Sequence, residues 1–96
     1  MPGHFLLRLF IAGTAPRSRQ TVETVRRFCE RYLAGRHELE VVDIFQQPSL
    51  ADRDRILAAP TLLKVAPGPE RRITGFLDED RLRRGLDLPP ALETHP

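Results

Sequence analysis

The sequence predicts an α/β fold, ordered strand–helix–strand, then a helix, then strand–strand–helix. Three observations predict it. A nearly continuous apolar run opens the chain at Phe5. A long segment with helical apolar spacing follows, and a second strand closes that unit. Later, two short strand-like segments flank the turn Pro67-Gly68-Pro69.

Phe5 through Ala12, interrupted only by Arg8, reads as a central strand covered on both faces. Gly13-Thr14-Ala15-Pro16 turns the chain into a helix over 17–34. Val22, Val25, Phe28, Cys29, Tyr32 and Leu33 form its apolar stripe, Glu23 pairs with Arg27, and Gly35 stops it. Glu38 through Phe45 is the second strand, and the crossover implies a parallel pair with right-handed connection. After Gln46-Gln47-Pro48, Ser49 with Asp52 resembles a capping box for a short helix over about Leu50 to Ala58, with Leu50, Ile56 and Leu57 as its thin apolar content. Pro60 to Ala66 and Arg71 to Phe76 read as antiparallel strands. The last helix opens on Asp78-Glu79-Asp80, carries Arg81, Arg83 and Arg84 later, buries Leu82 and Leu86, and stops at Pro89-Pro90. The expected organisation is one domain over 1–96, with its core at about 5–88 and a loose tail at 89–96. This element order is that of the thioredoxin core.

Composition narrows the function. The 96 residues include 41% hydrophobic ones, enough for a modest core. No apolar run is long enough to span a bilayer, and Met1-Pro2-Gly3-His4 lacks a signal peptide's basic start, so the cytoplasm is the expected compartment. The 15 basic and 13 acidic residues are interspersed, with seven basic and five acidic groups in 1–48 and eight of each in 49–96, which argues against nucleic-acid binding.

The chemistry of a thioredoxin-fold enzyme is missing. Its reactive cysteine sits where the first strand meets the first helix, yet Ala12 to Ser18 contains none. Ser18 could replace that cysteine in a glutathione-transfer site, but reads better as a helix cap. Cys29, the single cysteine, lies on the apolar stripe and reads as a buried free thiol. His4, His37 and His95 are not at metal-ligand spacing and read as surface residues. The pairs in Asp52/Asp54 and Asp78/Glu79/Asp80 fall at expected helix starts, where acids have structural reasons to be. No catalytic residue, cofactor or metal is expected. Pro60 precedes a strand where this fold usually holds a cis-proline.

These segments resemble the circadian clock protein family KaiB. The resemblance is carried by Leu7 to Gly13 with Pro16 and Ser18, by Leu39 to Ile44, by Gln47 to Ala51, and by Asp54 to Ala58. Its most specific part is Ala59-Pro60-Thr61-Leu62-Leu63-Lys64-Val65 with Pro67, Pro69, Arg71-Arg72-Ile73 and Gly75, and Gly85-Leu86-Asp87-Leu88 resembles the family's final motif. Four departures leave a divergent paralogue outside the oscillator open beside a clock member: Gly68, Phe76 where Asp is usual, a stretch from Leu77 to Gly85 one residue short, and Glu40 where Lys is frequent.

The resemblance implies a non-catalytic regulator that binds a KaiC-type ATPase in a circadian or stress-related timing system. A KaiA-like protein or a histidine kinase is a further partner, and a stand-alone sensor domain for such a kinase is the alternative reading. A redox or glutathione enzyme comes last, since the nucleophile is absent. The family is thioredoxin-like when competent to bind. At rest, clock members rearrange the second half (βαββααβ) and assemble as homo-oligomers, dimers or tetramers here. The implied contact surface is Asp43, Gln46, Gln47, Leu50, Arg53 and Arg55. A solvated helix face reads the same way in sequence, so family likeness supplies the preference. Switching implicates Pro60, Pro67 and Pro69 as slow isomer steps, Gly85 as a weak point inside the last helix, and Asp87 beside it.

Overall fold

A computed structural model describes residues 4–89, so the expected tail beyond Pro89, His95 included, lies outside the described residues. Four strands and three helices follow one another as β1 (Phe5–Ile11), α1 (Pro16–Tyr32), β2 (His37–Asp43), α2 (Pro48–Arg53), β3 (Thr61–Ala66), β4 (Arg71–Thr74) and α3 (Glu79–Gly85). The sheet order is β2-β1-β3-β4. β1 runs parallel to β2, with Leu9 beside Val41, and antiparallel to β3, with Leu9 opposite Leu62. β4 pairs antiparallel to β3. The expected thioredoxin-like arrangement is therefore present, with β1 interior to the sheet.

Alternation along β1 divides its side chains between two faces. Phe5, Leu7, Leu9 and Ile11 pack with Val25, Phe28, Cys29 and Leu33 of the α1 segment, and with Leu82 and Leu86 of the α3 segment. The opposite face holds Phe10, Val42 and Leu63 under Ala51 of α2, with Ile44, Leu50 and Ile56 at the margin.

Several element ends differ from the sequence reading. β2 stops at Asp43 because that residue turns the chain: its carbonyl accepts from Gln46 N at 3.0 Å and Gln47 N at 2.9 Å. Its carboxylate accepts from Phe45 N at 2.9 Å. Ser49 is not a cap, since Gln47 occupies that position and Pro48 starts α2 with its ring-fixed φ. α2 then ends early, at Arg53. Ile56 N donates to Ala51 O at 2.9 Å and Arg55 N to Asp52 O at 3.1 Å, closing a Schellman motif with Arg55 left-handed at φ 56. Asp52 and Asp54 consequently stand at the end of a helix and not at its start. α3 stops before Pro89 by the same device: Leu88 N donates to Arg83 O at 2.9 Å and Asp87 N to Arg84 O at 3.1 Å, with Asp87 at φ 58. Gly85 is thus the last residue of α3 and not an interior one.

Candidate functional site

The end of β2 and the whole of α2 form one exposed corner of the molecule. Asp43 is half-buried there, and its Oδ1 also accepts from Gly13 N at 3.1 Å, tying the β2 exit to the β1 exit. It therefore supports the corner and does not project from it. Gln46 and Gln47 follow in the turn and are exposed. Leu50 is half-buried against the second-face core, while Arg53 and Arg55 are exposed. Four of the six expected contact residues lie on the turn and helix themselves, while Asp43 precedes them and Arg55 follows α2 in its closing turn. Arg55 carries no ion pair among the described residues, and its carbonyl accepts from Arg72 Nη1 at 3.2 Å.

A charged cluster fastens α2 to the sheet. Arg8 Nη1 donates to Asp54 Oδ2 at 2.8 Å, and Arg8 Nε donates to Glu40 Oε1 at 2.9 Å. Arg53 Nε also pairs with Asp54 at 3.3 Å. Burial alone would raise the Asp54 carboxyl, but hydrogen bonds from Arg53 and Arg8, with their positive charge, hold it below its ordinary value. Arg8 looked in sequence like a mere interruption of an apolar strand. Its partner stands 46 residues away, which no local pattern announces.

Three large apolar side chains also escaped the sequence reading. Phe45 is 72% exposed, Leu57 98% and Phe76 75%. Each was expected inside a strand or on an apolar helix side, and each instead follows a shortened element. Phe45 and Phe76 follow β2 and β4 at the end of the sheet where β1 also finishes and β3 begins, and Leu57 lies in the connection from α2 to β3.

The second-half positions singled out in sequence have distinct surroundings. The Ala59–Pro60 and Ala66–Pro67 bonds are cis, while Pro69 lies exposed in the β3–β4 turn. Gly85 faces β4 so closely that an added Cβ would meet Ile73 Cγ1 and Cδ1 at 2.5 Å. Asp87 pairs with Arg71.

The corner where a thioredoxin-type enzyme keeps its thiol has none. Ser18 does not cap α1, whose N-cap is Ala15 without a side-chain bond; its Oγ donates to Ala12 O at 3.2 Å. Cys29 is fully buried on α1, and burial, reinforced by the Glu30 charge, pushes its thiol up to about 11. Almost no thiolate forms at neutral pH from such a group. His4 reaches Glu38 at 3.3 Å and His37 Nδ1 lies 2.8 Å from Leu33 O. Among the described residues no group of three metal-ligating side chains gathers. No helix there is long and apolar enough to cross a membrane. What this site offers is a polar and apolar surface on a short, tethered helix.

The KaiB domain family model matches residues 8–88, which runs from within β1 through α3 and includes both the corner and the tether. The chain belongs to the KaiB family. Curated relatives named circadian clock oscillator protein KaiB are similar over most of the chain. The one from Synechococcus sp. (strain RCC307) is 45% identical over 85 residues, covering 88% of this chain and 77% of the relative. One from Prochlorococcus marinus (strain MIT 9312) is 44% identical, covering 88% and 81%. Among solved structures, the N-terminal domain of Synechococcus elongatus SasA is similar with TM-score 0.75 and 29% identity, covering 90% of this chain and 82% of that one. Fasciola hepatica thioredoxin, at TM-score 0.71 and 23% identity over 90% and 81%, shares the fold. This KaiB-family chain thus has the thioredoxin-like architecture and is a relative of clock regulators.

Proposed function

We propose that this protein is a non-catalytic, cytoplasmic regulator, a single KaiB-like domain that binds a KaiC-type ATPase and modulates a circadian or stress-related timing system. One observation carries the reading: 45% identity across 88% of the chain to a circadian clock oscillator KaiB. The contact surface in this reading is the corner built by Asp43, Gln46, Gln47, Leu50, Arg53 and Arg55. Support comes from its exposure and from the thiol-free β1–α1 loop, which leaves surfaces as what the scaffold has to offer.

The similarity to the SasA N-terminal domain favours a second reading, a stand-alone sensor domain that partners a histidine kinase. A KaiA-like protein is a further candidate partner. A pull-down with the same organism's KaiC-type ATPase, with and without ATP, separates these readings. Retention that is weakened by Arg53→Glu supports the first. Retention of a histidine kinase and no ATPase under either condition supports the second and removes the first.

The reading extends to a resting state in which the second half is rearranged and the chain forms dimers or tetramers. Pro60, Pro67, Pro69, Gly85 and Asp87 are the positions assigned to that switch. A rare competent state lowers apparent affinity by its population and slows binding. Substituting Gly85 or Asp87 should shift the balance, seen as a second set of amide resonances or a changed binding rate. Variants with the parent's single state and the parent's rate would remove the switch from this reading.

A further inference from the structure

A cleft of about 880 Å³ lies between the start of α1 and the segment that leads into α3. It lies at the thiol-free corner, separate from the α2 surface. Ala12, Ala15, Pro60, Phe76 and Leu77 supply apolar walls, and Arg17 lines one side. A volume of several hundred Å³ with apolar walls and few polar groups suits a small ligand.

Among the described residues the charged groups around this cleft are engaged with one exception, and Gln20 and Thr24 also line it with no side-chain hydrogen bond. Gly75 N donates to Pro60 O at 2.9 Å. Arg81 donates to Phe76 O at 2.8 Å and to Thr74 O at 3.0 Å. The wall's acids are committed as well: Asp78 Oδ1 accepts from Arg81 N at 2.8 Å, and Glu79 Oε2 accepts from Tyr32 Oη at 2.7 Å. Arg17 has no ion pair and no side-chain hydrogen bond among the described residues, and the first turn of α1 holds no acid. The cleft therefore combines an exposed aromatic ring with an unpaired guanidinium, while its carboxylates are engaged at the surface by Arg81 N, Tyr32 and Arg31.

From this we infer that the cleft binds a small organic anion with an apolar body, its carboxylate on Arg17 and its body against Phe76. The site stands independently of ATPase binding. Titration of the full chain with 4-phenylbutyrate, followed by amide chemical shifts, tests it. Saturable shifts at millimolar probe are expected for Ala15 to Thr21 and for Gly75 and Phe76. The neutral analogue 4-phenylbutyramide should bind about tenfold more weakly, the usual reach of a charge-assisted hydrogen bond. Arg17→Gln should abolish that preference for the anion, and Phe76→Ala should weaken both probes together. The same spectra report that each variant is folded. Absence of saturable shifts, equal binding of the two probes by the parent, or shifts centred elsewhere would overturn the assignment.

Discussion

The two faces of the sheet are built to different standards. On one, α1 spans 17 residues and joins α3 over Leu7, Leu9 and Leu62. On the other, a helix of six residues covers Phe10, Val42 and Leu63, helped by the Arg8–Asp54 pair and by Arg72 on the Arg55 carbonyl. The first face supplies the apolar burial that makes the chain fold. The second has little apolar area to spare and is held by polar ties. Regions with few buried apolar contacts open first, and binding surfaces are drawn from them. The difference shows how one small scaffold separates stability from recognition.

Substitutions on each face can break this comparison. Leu9→Ala, at a fully buried position between the helices, should cost about 2–5 kcal/mol in urea unfolding. Leu50→Ala, half-buried on the second face, should cost under about 1.5 kcal/mol, within the ordinary range for a partly exposed site. Equal costs would mean that α2 is as firmly packed as α1.

The polar tie is the next largest effect. Asp54→Asn should cost about 1–2 kcal/mol at neutral pH, since a charge-assisted hydrogen bond to Arg8 is lost. The Asp54 carboxyl is held below its ordinary value in the fold. Its contribution is therefore complete above the unfolded carboxylate's pKa of about 3.9 and is lost as pH falls through the lower folded value. Parent and variant unfolding curves should converge on acidification; a gap that stays constant down to strong acid would show that the tie is not ionic.

The smallest effect sharpens the account of where α2 ends. Arg55 sits left-handed at φ 56 with an exposed side chain. Arg55→Gly should stabilise the fold by about 0.5–1 kcal/mol, because glycine occupies that position of the Schellman motif without a Cβ penalty. A loss of stability there would assign the Arg55 side chain a structural role.

The first half was legible from sequence because its signals are local. The stripe through Val25, Phe28, Cys29 and Leu33 gave α1, and the apolar run gave β1. From the end of β2 onward the elements were legible in order but not in extent. Asp43 ends β2 with its own carboxylate, and Arg55 and Asp87 close helices in a conformation usually left to glycine. None of the three is a standard stop signal. Of the site, exposure of Gln46, Gln47, Arg53 and Arg55 could be read from the turn and helix pattern. The Arg8–Asp54 tie, the outward Phe45 and the contact between Gly85 and Ile73 depend on pairing between distant segments.

Recognition through the α2 corner can be measured directly by adding the organism's KaiC-type ATPase to the labelled full chain and following each amide resonance. The account predicts selective loss of signal from 43–55, with the outer side of α1 and the β3–β4 turn retained. Loss confined to α1 and α3, with 43–55 unaffected, would contradict it.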